Sequence, residues 1–583
     1  MMESAELLSV ARERLAAGKP VRRSLPNGGR LHIDRALPFL CVYAGDDRPT
    51  ADLARTQASY LIGQDVELTS GIIEMLADAC GSCLVVELLT GTGGSFRLHT
   101  AATDRLATTI DALSTALGDM KLPVEISVEV VGDASTSLVK AGVLWLGLEV
   151  PAFSRYPLVA RTLSRELTNA LLRGFFEFAR VQTPTTPNHF LALGRRRMVR
   201  AVRASDRELA EISDSFDFLL AVTPVNGEGA WKEFRANRTH TPRLHYRMLE
   251  LDPAIGKRRL YNLPLDRLED PVLAELMQDK RRELDRQLTL LEDRDTPRFR
   301  YGSIQLYGGV EDELLEDALA ILSRVPSSTQ RSTARCDATT FAERARDELA
   351  IYRRSYPTLA TTITIRDDIT SLLVSRGDML IPETLDVPAH RVDALLQHEL
   401  GTHVVTYANG HAQPLHVMAA GLAGYEALQE GLATFVEYLV GGLDGDRLRM
   451  IAARVVAVRR LLEDVSFPQV VAELVDEHRI ALRTAFTIAL RVFRGGGLTK
   501  DAIYLRGLVQ LLAHLRAGHA IESLLVGKLA LEQVGLVEEL LRRGILVPPV
   551  LTPRWLADPA ARARLAHAAT LRVIDLYQPG RVA

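Results

Sequence analysis

The chain has 583 residues, 47% of them apolar and 25% charged, with a net charge of -3 and a mean hydropathy of +0.04. That is the profile of a globular chain with room for two or more hydrophobic cores, and it excludes a small stapled scaffold. The near-neutral balance gives no reason to expect a nucleic-acid partner, and no run approaches the roughly 18 apolar residues of a membrane span.

The opening "MMESAELLSVARERLAAG" lacks the basic and apolar regions of a secretory signal, which predicts a cytoplasmic location. Four cysteines are too few for a disulfide framework and agree with a reducing compartment. Cys80 and Cys83 form "CGSC" ahead of a strand-like run, so packed thiols are expected rather than a redox pair. Cys41 and Cys336 supply no second CxxC for a zinc knot.

From Ala36 to about Pro151 short β-like runs such as "CLVVELLTG" and "VLWLGLEV" alternate with helical patterns, which predicts an α/β layer domain. An apolar helix, "PLVARTLSRELTNALLRGFFEFAR", leads into "VQTPTTPNH", whose prolines and threonines mark a boundary. The expected division is an α/β domain over 1–182 and a mainly helical domain over 183–583, an α+β chain overall. The basic run "GRRRMVRAVR" is read as a solvated helix face, and Asp206 to about Val325 as mainly helical. In "TITIRDDITSLLVSRGDMLIP" two β-rich runs flank Ser375, Arg376, Gly377 and Asp378, which predicts a hairpin. Beyond about Pro388 the pattern is helical with glycine breaks.

The chemistry concentrates in "LLQHELGTHVV", residues 395–405. Val392, Leu395 and Leu396 begin a helix before His398, and Asn409-Gly410 are expected to stop it. His398 and His403 lie five residues apart, one more than the HExxH helix of common zinc peptidases, and positions i and i+5 diverge by roughly 140° on a regular helix. A π-bulge or distorted turn, eased by Gly401, would return both imidazoles to one metal. A catalytic zinc needs a third protein ligand and an open position. Glu430, set among Leu428, Leu432, Ala433 and Val436, is the expected third ligand, because a carboxylate in apolar surroundings is costly unless paired or metal-bound. Glu399 beside a ligand is then the expected general base for hydrolysis of a peptide or amide bond, with the HExxxH site holding Zn2+. His411 and His416, in "NGHAQPLH", are read as surface or supporting residues in a loop.

These residues carry a family resemblance. "HELGTH", "NGHAQPL", "GLAGYEALQEGLATFVEYLVGGL" and "RVFRGGGLTKDAIYLRG" resemble the microtubule-associated tyrosine carboxypeptidase family, most closely its bacterial branch of flavohaemoglobin expression-modulating QEGLA motif proteins. The QEGLA motif spans Gln429 to Ala433, and the dense part of the resemblance runs from about residue 200 to 570. The resemblance implies a zinc metallopeptidase with His398, His403 and Glu430 as ligands and Glu399 as catalytic glutamate, acting on a protein or peptide C-terminus.

A carboxypeptidase must grip a terminal carboxylate, for which the arginine fork is best suited. Arg491, Arg494 and Lys500 are the candidates, with Thr499 as an N-cap that sets Lys500 and Tyr504 on one face. Tyr504 is the candidate donor to an oxyanion. An exposed hairpin edge offers a rail for an extended peptide, with Arg376 at its turn reaching for the cleft. Two other readings fit the same residues: a zinc amidase on a small amide in a closed pocket, and a regulatory binding protein with a structural metal. Against the latter stands Glu399, which a structural site does not need.

Overall fold

The computed structural model describes residues 4–132, 142–152, 157–327, 334–369 and 371–577. The chain is α+β and divides into two units. The first comprises Met1–Val202, Leu265–Glu275 and Leu536–Leu546; the second comprises Arg203–Pro264, Leu276–Gly535 and Val547–Ala583.

The first unit is built on an eight-stranded sheet. In chain order its strands are β1 (Val21–Ser24), β2 (Arg30–Ile33), β3 (Phe39–Tyr43), β4 (Ser59–Ile62), β5 (Cys83–Thr90), β6 (Phe96–His99), β7 (Val128–Val131) and β8 (Val143–Val150). The spatial order is β1-β2-β4-β3-β5-β8-β6-β7, and the central β4, β3, β5 and β8 run parallel. Strands β5 and β8 are almost wholly apolar because helices cover both faces. Leu84, Val86 and Leu88 join Leu144, Leu146 and Leu148 in one core, while Val85, Val143 and Trp145 point into the other. Helices α1 (Ser4–Ala16) and α2 (Val66–Cys80) supply Leu7, Ile72 and Leu76 to the second core. Helices α3 (Ala107–Gly118) and α4 (Pro157–Gln182) supply Leu113, Leu163 and Phe175 to the first, with Phe175 stacked 3.8 Å from Phe39.

The sheet begins earlier than the pattern from Ala36 predicts. Strands β1 and β2 pair in register Val21↔Ile33, but Arg22, Arg23 and His32 interrupt their apolar signal. All four cysteines are free, and burial pushes the Cys80 and Cys83 thiols up, which suits packing and disfavours thiolate chemistry.

The second unit is mainly helical with two small sheets. Its elements near the site are β9 (Arg335–Asp337), α5 (Ala338–Ser355), β10 (Ile363–Arg366), β11 (Leu373–Ser375), β12 (Asp378–Pro382) and β13 (Asp386–Pro388). Strands β11 and β12 form the expected hairpin, closed by Ser375↔Asp378. Arg376 and Gly377 take φ of 49° and 85°, the pair of left-handed conformations that a type I′ turn requires. Strand β10 adds in parallel to β12, leaving β11 at the other edge.

Five helical elements follow around the site: α6 (Val392–His398), α7 (Val405–His411), α8 (Tyr425–Leu439), α9 (Gly445–Leu462) and, after α10 (Leu482–Phe493), α11 (Ile503–Arg516). Helices α8 and α11 cross with almost no space between their backbones. A Cβ on Gly431 would lie 2.3 Å from the Gly507 carbonyl carbon, and one on Gly507 would lie 1.8 Å from the Ala427 oxygen. Asn409-Gly410 do not stop α7, which continues to His411, so "NGHAQPLH" is loop only in its later part. Gly410 permits close approach of the Met418 backbone, and Asn409 bonds the Leu525 and Leu551 carbonyls at 2.8 and 2.9 Å. Among the described residues no helix is long and apolar enough to cross a membrane.

Candidate active site

Between α6 and α7 the helix widens into a π-helical turn, Glu399–Val404. This is the distortion that the five-residue histidine spacing demands. Side chains take up carbonyls in this segment: Thr402 Oγ1 donates to Gln397 O at 3.1 Å, and the Trp555 indole donates to Gly401 O at 3.1 Å. Leu400 and Val404 anchor the turn in a core shared with Met379 and Ile381 of β12.

The wide turn brings His398 and His403 onto one side, their rings 5.1 Å apart and nearly perpendicular. Each Nε2 lies 3.9 Å from Glu430 Oε2 on α8. These three residues form a group whose ligand atoms all lie within 4.8 Å of one another. The donor chemistry fits a metal ion. Glu437 Oε1 accepts from His398 Nδ1 at 2.9 Å, and a carboxylate can only accept, so the proton sits on Nδ1 and Nε2 presents its lone pair. His403 Nδ1 faces Gln429 Oε1 at 3.4 Å, and Gln429 is held in turn by Thr406 Oγ1 at 2.7 Å. Ligands about 2.1 Å from a tetrahedral ion stand roughly 3.4 Å apart, so the 3.9 Å separations need only a small contraction.

The surrounding charges suit the same purpose. Burial pushes His403 down to about 4, favouring the neutral imidazole that metals bind. Burial alone would raise Glu430, but Lys500 and the two histidines outweigh it and hold the carboxyl down at about 2. Burial likewise drives Glu399 up, helped by the Glu430 and Glu437 charges, to about 7. Glu399 is 6% exposed and lines the same cleft as the three ligand candidates.

Glu437, seven residues beyond Glu430 on the same apolar helix, is fully buried, and the sequence reading did not single it out. Arg391 donates to it at 2.6 Å and Arg447 at 3.0 Å. The arginines neutralise the charge of a carboxylate whose task is to aim His398.

The residues expected to bind substrate are distributed unevenly. Arg491, Arg494, Lys500 and Tyr504 all line the cleft; Arg376 stands exposed at the hairpin tip and is not part of its wall. Arg491 grips Asp501 at 2.7 and 2.8 Å, and Lys500 lies 3.4 Å from Glu426 and 3.6 Å from Glu430. The Tyr504 hydroxyl faces Glu430 and helps hold its carboxyl down. Thr499 is not an N-cap; its hydroxyl donates to Ser303 O at 3.1 Å and its backbone N–H to Ser303 Oγ at 2.8 Å. The glycine crossing of α8 on α11 is what sets Glu430 beside Tyr504. Helix α7 places His411 against Tyr407, stacked at 5.4 Å.

The cleft has a volume of about 2790 Å³. Small-molecule pockets occupy roughly 300–1,000 Å³, so this space exceeds what one small amide fills. Strand β11 contributes Leu373, Val374 and Ser375 to its wall.

Residues 232–572 match the model of a family described as microtubule-associated tyrosine carboxypeptidase, which is more than half of the chain. No curated protein matches the chain.

Proposed function

The chain belongs to the microtubule-associated tyrosine carboxypeptidase family, and from that premise and the geometry of its cleft we propose a zinc-dependent carboxypeptidase that removes a C-terminal residue from a protein or peptide. The observation that carries this reading is the convergence of His398, His403 and Glu430, with Glu399 beside them, on the wall of a cleft of about 2790 Å³. His398, His403 and Glu430 would hold the zinc, which when bound supplies Lewis acidity that activates water and polarises the scissile carbonyl.

The chain's own residues do the rest. Glu399 accepts a proton from the attacking water as its oxygen bonds to the carbonyl carbon, then returns that proton to the departing amine as the C–N bond breaks. Tyr504, now against Glu430, turns its hydroxyl toward the oxyanion that develops on the carbonyl. Glu437 holds the His398 ring and its tautomer throughout. The free edge of β11 offers main-chain groups to an extended peptide lying along the cleft. The volume of that cleft favours a polypeptide tail over a small amide, and Glu399 argues against a merely structural metal.

The test is metal content by mass spectrometry of wild type, Glu399→Gln and His403→Ala, each also incubated with a peptide pool of diverse C-termini. One zinc per chain in wild type and Glu399→Gln, its loss in His403→Ala, and trimming by wild type alone are expected. Wild-type protein that takes up no zinc on reconstitution refutes the proposal.

A further inference from the structure

The wide turn changes which backbone carbonyls the helix itself takes up. On a regular α-helix the Val405 N–H would bond to Gly401 O, four residues back. Here that N–H is shared between Leu400 O and Thr402 O and passes Gly401 by. The Gly401 carbonyl has its partner outside the helix, the Trp555 indole N–H at 3.1 Å. Trp555 is 2% exposed, and a buried indole N–H can only donate, so the bond satisfies both groups. The same approach explains the glycine: a Cβ at 401 would lie 3.3 Å from Trp555 Cδ1 and 2.6 Å from Gln397 Oε1.

Trp555 closes a strap, residues 547–555, that runs back along the helix carrying both histidines. Val547 exchanges two hydrogen bonds with the Gln413 side chain, each at 2.9 Å, and Leu551 exchanges two with Asn409, at 2.8 and 2.9 Å. Arg554 donates to Asp393 at 2.6 Å and to Glu348 at 3.0 Å, and Glu348 also accepts from Gln397 at 2.8 Å. The strap therefore grips the segment just after α7, the wide turn, and the first turn of α6. Trp555 is no part of the cleft wall, so it reaches the chemistry only through the backbone it holds.

We propose that Trp555 is a positioning residue of the metal centre: by taking Gly401 O it holds the turn at the width that sets His398 and His403 together beside Glu430. This rests on the metal reading given above. The mechanism is a competition for one carbonyl. Without the indole donor, the Val405 N–H is free to return to Gly401 O, and relaxation toward α-helical geometry rotates His403 away from His398, since positions five apart diverge by roughly 140° on a regular helix. The indole removes that alternative.

The experiment compares full-length wild type, Trp555→Phe, and Gln413→Met, a control that loses the far rung of the same strap. Three quantities are read: hydrogen–deuterium exchange of peptides covering 399–405 in metal-free protein, zinc affinity by chelator competition, and the visible spectrum with cobalt(II) in place of zinc, which reports ligand geometry. Trp555→Phe should speed the exchange roughly tenfold, weaken zinc about tenfold and shift the cobalt bands. Gln413→Met should melt at a lower temperature and leave all three unchanged. Installing 3-benzothienylalanine at 555 keeps the indole shape and lacks only its N–H; it should match Trp555→Phe, and it carries the test should that variant fail to fold. Wild-type zinc affinity and cobalt bands in both 555 variants, or equal losses in Gln413→Met, overturn the positioning role. A wild type that takes up no metal sinks the hydrolase instead, and the exchange comparison alone then decides whether Trp555 holds the turn.

Discussion

Replacing Glu437 by glutamine should weaken zinc binding without disturbing any ligand directly. The side chain is fully buried, accepts from His398 Nδ1 at 2.9 Å, and sits between Arg391 at 2.6 Å and Arg447 at 3.0 Å. Glutamine preserves the shape but removes the charge, so two guanidiniums with side-chain exposures of 9% and 14% lose their nearest counter-ion, and among the described residues only Arg391 keeps a second one, Asp444 at 3.9 Å. Breaking one partner out of a buried ion pair costs about 3–5 kcal/mol, and this should appear in the metal-free protein as a lower urea midpoint with an unchanged slope. The second effect is on the metal. With an amide opposite, the imidazole is no longer compelled to keep its proton on Nδ1, and loss of such an orienting partner typically lowers metal affinity 10–100-fold, about 1.4–2.7 kcal/mol. Competition against a fluorescent chelator measures that affinity, and urea unfolding in EDTA measures the stability, so the two losses are read independently. An unchanged zinc affinity would refute the aiming role of Glu437, whatever happens to the stability.

Other perturbations should follow from the same structure. Gly507→Ala should destabilise the fold more than Gly431→Ala, because its Cβ would meet the Ala427 oxygen at 1.8 Å while the other meets a backbone carbon at 2.3 Å; losses of at least 1–3 kcal/mol in thermal melts are expected, and neutral substitutions would contradict the close crossing. Burial alone would raise the Asp501 carboxyl, but Arg491 and Arg454 hold it well below the usual carboxylate range. A depressed folded pKa contributes stability that is complete above the unfolded value of about 3.9 and is lost as pH falls through the folded one. Asp501→Asn should therefore be less stable at pH 7 and show a flatter stability profile below about pH 4; parallel profiles would remove Asp501 from the account. Thr402→Val should leave the histidines in place but lower the melting temperature, since the hydroxyl bond to Gln397 O at 3.1 Å disappears at a cost of about 1 kcal/mol; a higher melting temperature would show that the wide turn does not rely on it.

Much of the candidate metal group was legible in the sequence because irregular spacing is itself informative: His398 and His403 could share a metal only if the helix widens, and it does between Glu399 and Val404. The Ser375–Asp378 turn was equally legible from its glycine and flanking β-rich runs. Glu437 was not, because a buried carboxylate on an apolar helix looks the same whether it binds a metal or orients a ligand. Gly410 misled because glycine serves close packing as well as helix termination, and here the Met418 backbone claims the space. The early strands were missed because arginine and histidine occupy them.

The π-helical turn also ties chemistry to architecture through helix phase. One extra residue advances everything after it by about 100° around the axis. Leu396 before the wide turn, Leu400 and Val404 within it, and Val405 and Ala408 after it enter one core, and α7 then aims Asn409 at Leu525 and Leu551 and Gly410 at Met418. Deleting Gly401 would give the histidines the four-residue spacing of a regular zinc helix, yet would swing α7 out of phase with every one of those contacts. The extra residue therefore belongs to the fold as much as to the site, and the spacing cannot be regularised without rebuilding the helix that follows.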